Sequence, residues 1–327
     1  MTRARLLPKL YLPLLLQALA CGGRVDEPAP ISSPEPVSTS GFPSCLRGLP
    51  GASARCGASG SLDCCETLPV PGGSFLRDHN PAAPATLSAF KLDRFEVTVG
   101  RFRAFVEAYP GSRPRPGDGA HPRIQGSGWR AEWDAFLPAD ATALSDALSL
   151  LNMPDVRSEW GGMIAWTPEP GPNERMAIGT VTWLEAFAFC AWDGGRLPTE
   201  AEWSYAAQGG DEQRPHPWGN EPLDSTRSTS FTDLRAQKTV RPVGSALAGA
   251  GRWGHLDFES NMFEYVYDAF SKEDYYLNPC QDCALLDQQE FPIQNLRRAR
   301  DYGVTTRRRE YVIYQSDLTS GVRCARD

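Results

Sequence analysis

Nine cysteines and four histidines carry much of the chemistry open to this chain of 327 residues, and their spacing restricts it. Cys45, Cys56, Cys64 and Cys65 crowd into one glycine- and serine-rich stretch. Zinc is one reading of such a cluster, but adjacent Cys64-Cys65 is not a C-x-x-C spacing and no histidine is near. So little apolar sequence cannot fold alone, and two disulfides of open connectivity are expected there. Cys280-Gln281-Asp282-Cys283 is a C-x-x-C. That spacing serves redox dithiols when a strand and a helix present it. No such context is written around it, so a structural loop clip is the expectation. His79, His121, His216 and His255 show no H-x-x-x-H spacing, and neither a G-x-S-x-G elbow nor a phosphate loop is present.

The segment 296–324 reads LRRARDYGVTTRRREYVIYQSDLTSGVRC: arginine-rich, alternately apolar, and free of cysteine until its last residue. Its arginines are interleaved with Asp301, Glu310 and Asp317, and the chain's formal net charge is −7. Phosphate-backbone binding needs a net basic field, so no nucleic-acid partner is expected. Guanidinium forks do suit carboxylate, sulfate or phosphate groups. Arg300, Arg307, Arg308 and Arg309 are therefore the anion-facing candidates.

These residues must be positioned by a fold that begins well inside the chain. Arg3, Arg5 and Lys9 precede the apolar run Leu10 to Ala20, of signal-peptide length and too short to span a bilayer. Residues 1–20 read as a signal peptide, and Cys21 follows at once. Lipidation of Cys21 leaves an even set of eight cysteines, as suits an oxidising compartment. An exported lipoprotein of a bacterial cell envelope is expected, with plain secretion as the alternative. Residues 21–44, rich in proline and serine, read as a tether of roughly 60–70 Å reach. Residues 45–69 form the cysteine-rich segment.

From Val70 the pattern becomes short alternating strands, 70–78 and 85–98, followed by a helix capped by Thr98. Residues 110–175 are an insertion with amphipathic stretches at 129–136 and 141–151. Trp129, Trp133 and Phe136 are expected to pack on the domain, a lid over a groove being the alternative. Thr182 with Glu185 and Thr199 with Glu202 are capping boxes opening two helices, the first apolar nearly all round and expected to be buried, the second stopping at Gly209-Gly210. Beyond Gly210 only short strands and loops are expected.

The phrase CAWDGGRLPTEAEWSYAAQGG (190–210), with HPWGN (216–220), WGHLDFESNMFEY (253–265) and GVRCAR (321–326), resembles the formylglycine-generating enzyme, or sulfatase-modifying factor, family. VPGGSF and LDRFEVTVGRFRAFV match that domain's opening, so the resemblance covers 70–327 in order. It implies an α+β fold, a compact C-type-lectin-like architecture with little regular secondary structure. It also implies a disulfide between Cys190 and Cys324, which leaves Cys280 and Cys283 as a local pair. The family's calcium loop falls on 257–265, where Asp257 and Glu264 would give carboxylate oxygens and Ser260 and Met262 carbonyls, a hard oxygen set suited to Ca²⁺.

In active relatives two cysteines follow an R-G-G-S-aromatic phrase and hold copper(I). Aligned on Arg298, their positions fall near Val304 and Arg309, and soft thiolates are absent. No copper is therefore expected, and formylglycine-generating oxidation is not expected. The functional expectation is a non-catalytic, membrane-tethered domain that binds a protein, peptide or glycan ligand. The alternative is an active relative working on a protein or small molecule through a site without thiols.

Overall fold

The computed structural model describes residues 41–46, 51–52, 55–149, 164–228, 240–269, 277–286, 294–301, 305–312 and 319–327, with backbone alone for 294–301 and 305–312. All belong to the unit Glu35–Asp327. The expected signal peptide, Cys21 and most of the tether lie outside the described residues. Residues 41–44, at the end of the expected tether, pack on the domain instead. Ser44 is buried there, and its N–H donates to Asp193 Oδ1 at 2.9 Å.

Each strand expected near the start divides in two. β1 (Thr67–Val70) and β2 (Gly73–Leu76) are separated by Pro71-Gly72, and β3 (Pro84–Leu87) and β4 (Phe90–Asp93) by Ser88-Ala89. The division is topological. β1 pairs antiparallel with β4, and β4 with β10 (Ala325–Arg326), whereas β2 pairs with β3 and β3 with β6 (Cys280–Gln281). A third sheet orders β8 (Thr305–Val312), β7 (Gln294–Asp301), β5 (Phe263–Ala269) and β9 (Ser320–Gly321). The closing segment 319–327 thus reaches two sheets.

The helices follow their local signals. α1 (Val99–Glu107) starts where Thr98 Oγ1 accepts the Arg101 N–H at 3.2 Å. α2 (Ala141–Leu148) is capped by Asp140. α3 (Trp183–Trp192) and α4 (Glu200–Ala207) each open with the expected capping box. α3 is buried nearly all round because it crosses the centre of the larger core, where Phe102 and Phe105 of α1 meet Phe189. The 129–136 stretch is a short 3₁₀ helix over Ala131–Phe136. Trp129 and Trp133 are 2% and 4% exposed, and both rings pack against Phe187. That is core packing, as the spacing suggested; Phe136 alone points outward. Among the described residues no helix is long and apolar enough to cross a membrane.

Candidate functional site

Sulfur is the first constraint on what the molecule can do. Four disulfides join Cys45 to Cys65, Cys56 to Cys64, Cys190 to Cys324 and Cys280 to Cys283. They settle the connectivity left open in the cysteine-rich segment and make the long-range bond implied by the resemblance. Eight of the nine cysteines are thereby used, and the ninth, Cys21, lies outside the described residues. Residues 284–323, which hold the positions aligned with the family's thiol pair, contain no cysteine.

The loop leading into β5 is built around buried charge. Asp257 and Asn261 take positive φ of 70° and 64°, conformations that aspartate and asparagine tolerate better than most residues. Asp257 Oδ2 accepts the Gly244 N–H at 2.6 Å, and Ser260 Oγ lies 3.4 Å from Oδ1. Glu96, from the segment after β4, accepts Asn261 Nδ2 at 2.6 Å and the Met262 N–H at 2.9 Å. Glu264 takes Trp203 Nε1 on Oε2 at 2.6 Å and faces the Arg323 guanidinium. Arg323 also donates to the carbonyls of Asp93, Arg94 and Leu256 and stacks on Phe258.

Three buried carboxylates therefore surround one guanidinium, and the excess of negative charge raises proton affinities. Burial, then Asp257 and Glu264, lifts Glu96 well above the usual carboxylate range. Burial also pushes Asp257 up to about 6. Of the expected calcium residues, Asp257, Ser260 and Met262 lie in the loop before β5 and Glu264 lies in β5 itself. By charge the loop suits a hard cation. By geometry, both oxygens of Glu264 are already engaged, and among the described residues no group of three or more His, Cys, Asp or Glu side chains could hold a metal. Glu96 and Arg323 are the partners that spacing did not reveal.

The arginine-rich segment forms a hairpin on the edge of β5. Glu264 registers with Arg298 and Tyr265 with Arg297. Across the hairpin Arg297 opposes Arg309, Arg298 opposes Arg308, Ala299 opposes Arg307 and Arg300 opposes Thr306. Paired positions share a face of a ladder, and successive positions alternate. The four candidates therefore divide by register. Arg300 and Arg308 fall on one face with Arg298; Arg307 and Arg309 fall on the other with Arg297. Like charges directly opposite one another destabilise a ladder in the absence of counter-charge.

Residues 54–327 match the family model of the Sulfatase-modifying factor enzyme 1-like domain. The chain belongs to that family. It is 29% identical over 240 residues to the formylglycine-generating enzyme of Thermomonospora curvata, a match covering 62% of this chain and 71% of that protein. It is 28% identical over 279 residues to the inactive C-alpha-formylglycine-generating enzyme 2 of Bos taurus, covering 78% and 86%. Among solved structures, PvdO from Pseudomonas aeruginosa superposes with a TM-score of 0.53 at 21% identity, covering 81% of this chain and 95% of that one. The last comparison supports the fold alone.

Within this sulfatase-modifying-factor domain, one of the two positions expected to align with the thiol pair falls among the described residues. Arg309 lies on β8, and Val304 lies outside the described residues. Elsewhere two surface clefts meet at Gly194, Arg326 and Asp327. One, of about 660 Å³, is walled by Arg113, Arg115, Asp118 and Trp192; the other, of about 670 Å³, by Phe42, Asp63, Glu66 and Lys91. Their arginines are largely committed. Arg326 pairs with Asp93 and Asp193, and Arg113 donates to the Pro138 and Ala139 carbonyls. Arg115 remains 86% exposed at its side chain. Neither cleft was expected from the sequence, because its walls come from segments distant in the chain.

Proposed function

We propose that this sulfatase-modifying-factor domain is an envelope-tethered, non-catalytic binding module for an anionic protein, peptide or glycan ligand, held to the membrane through lipid on Cys21. The observation that carries the reading is the placement of sulfur: eight cysteines are closed into disulfides, and residues 284–323, where the thiol pair that would bind copper(I) is expected, contain no cysteine. Of the two aligned positions, Arg309 is a cation on β8, opposite Arg297, which suits an anion better than copper(I). Similarity to a relative named as inactive, across 78% of this chain, supports the same reading.

Calcium belongs to the proposal as a structural ion. Asp257 would offer a carboxylate oxygen to it, and Ser260 and Met262 carbonyls; Glu264 would share an oxygen that already accepts from Trp203 or Arg323, and Glu96 would supply further negative charge. When bound it would neutralise that excess and fix the loop on which β5 begins.

An active enzyme is the competing reading, favoured by similarity to the Thermomonospora curvata enzyme. Incubation of the purified chain with a C-x-P-x-R peptide, copper and oxygen separates the two. No aldehyde should form, while a panel of sulfated glycans and acidic peptides should contain a binder. Aldehyde formation, or a panel without any binder, rejects the binding module.

A further inference from the structure

The Cys280–Cys283 disulfide is used by none of the machinery above, and its surroundings are asymmetric. Cys280, in β6, is 4% exposed, whereas Cys283 is only partly buried. Arg77, 2% exposed, directs Nη1 to Cys283 Sγ at 3.8 Å. That guanidinium is fixed in place, since its Nη2 donates to the Leu277 carbonyl at 2.7 Å and to Asn278 Oδ1 at 2.8 Å. The loop is also anchored independently of its sulfur bond. The Asp282 N–H donates to the Thr86 carbonyl at 3.0 Å, and the Asp282 carboxylate accepts Ser88 N–H and Oγ at 2.7 Å each. Hydrogen bonds through Asp282 therefore hold the loop to the β3 segment apart from the sulfur bond.

One partly buried cysteine beside a fixed cation, and one buried cysteine three residues away, match the two roles a dithiol exchanger requires. We propose that Cys280–Cys283 exchanges electrons with external dithiols, Cys283 being the reacting sulfur and Cys280 the resolving one. A thiolate of the external dithiol attacks Cys283 Sγ. The Cys280–Cys283 bond breaks, and Cys280 leaves as a thiolate that takes a proton from water. The second external thiolate then attacks its partner sulfur in the mixed disulfide, and Cys283 leaves as a thiolate facing Arg77. Two electrons have passed to the protein, the external dithiol has become a disulfide, and a second disulfide compound returns the pair to the oxidised form by the reverse steps.

The full chain is equilibrated in graded glutathione buffers, trapped with N-ethylmaleimide and mapped by mass spectrometry. Cys280–Cys283 should open first, with an equilibrium constant at least about tenfold more reducible than that of Cys190–Cys324. In Cys280→Ser the rate of Cys283 alkylation should show a pH midpoint below the ordinary thiol value of about 8.5. Arg77→Met should raise that midpoint and Arg77→Lys should restore part of the shift. If Arg77→Met does not fold, the Cys280→Ser profile decides alone. A pair that opens no sooner than the other three, or a Cys283 midpoint at or above the ordinary value, overturns the proposal.

Discussion

Arg323 lies against Glu264, with Nη2 2.7 Å from Oε1 and Nε 3.0 Å from Oε2, and neither side chain reaches solvent. The pair joins the closing segment to β5 with no water to share the charge. Breaking a buried pair from one side typically costs about 3–5 kcal/mol, because the remaining charge is stranded. Which side is removed matters here. Glu264→Gln leaves Arg323 facing Glu96 and Asp257, whereas Arg323→Met leaves three carboxylates without their cation. Urea denaturation at pH 7 should rank Arg323→Met as the more damaging variant; the opposite order would mean that Glu96 and Asp257 do not lean on Arg323.

Asp257 tests the calcium assignment. Asparagine tolerates the same positive φ and can still accept the Gly244 N–H, so Asp257→Asn should fold. A ligand held only by the native state stabilises it by about 2.7 kcal/mol at a hundredfold excess over its dissociation constant. Millimolar calcium should therefore raise the melting temperature of the parent chain by several degrees and that of Asp257→Asn far less. An unchanged parent melting temperature removes calcium from the proposal and leaves Arg323 as the sole compensating charge.

His255 gives the acid limb of stability. It is fully buried and neither ring nitrogen makes a hydrogen bond of ordinary geometry, although the Leu68 and Leu92 backbone lies close. Burial, reinforced by Arg323, pushes its pKa down to about 3. Below the ordinary value near 6.5 the unfolded chain binds a proton that the folded ring refuses. The contribution of His255 is therefore whole above pH 6.5 and is lost as pH falls through about 3, at roughly 1.4 kcal/mol per pH unit. Asp257, raised to about 6, works in the other sense: its contribution is whole below its ordinary value and is lost as pH rises through 6. Between pH 4 and 6 the two oppose one another. Glu96, also raised, acts in the same sense as Asp257. Denaturation midpoints of His255→Phe should therefore rise more on acidification across that window than those of the parent, and a variant that tracks the parent would show that the ring is not held neutral.

The long disulfide and the short one beside the tether should differ in consequence. Cys190–Cys324 closes a sequence separation of 134 and Cys56–Cys64 one of 8. Loop-closure entropy assigns roughly 5 kcal/mol to the first and roughly half that to the second. The paired alanine variants should lose stability in that order by guanidinium denaturation. Equal losses would mean that strain or residual structure in the unfolded chain, rather than closure, sets the contribution.

What was legible in the sequence was local. Thr182 with Glu185 and Thr199 with Glu202 announce their helices because a capping box needs only four consecutive residues. The helical spacing of Trp129 and Trp133 announced burial for the same reason. The run 70–78 did not announce its division, because Val70 and Phe75 belong to different sheets whose other strands arrive from elsewhere. Glu96 read as one more strand residue, since its partners Asn261 and Met262 are 165 and 166 positions away. Arg323 lay inside a recognisable phrase, yet nothing in that phrase names Glu264. The pairing of Cys190 with Cys324 came from resemblance, and the fold now supplies its geometry.

The arginines of the hairpin provide the sharpest check on ligand binding, since register divides a set that looked continuous in sequence. A rigid ligand lying on one side of β7 and β8 can meet Arg307 and Arg309, or Arg300 and Arg308, but not all four. Each charge-assisted hydrogen bond to a carboxylate or sulfate contributes about 1.5–3 kcal/mol. Replacing the contacting pair by alanine should therefore weaken binding to heparin, or to a polyglutamate peptide, by at least about a hundredfold, while the other pair changes it little. The affinity should also fall with added salt, as for binding through solvent-screened charge pairs. Titration calorimetry on the two double variants reads the outcome directly. Equal losses from both would mean a ligand that wraps the hairpin, and no loss from either would move the binding surface away from these strands.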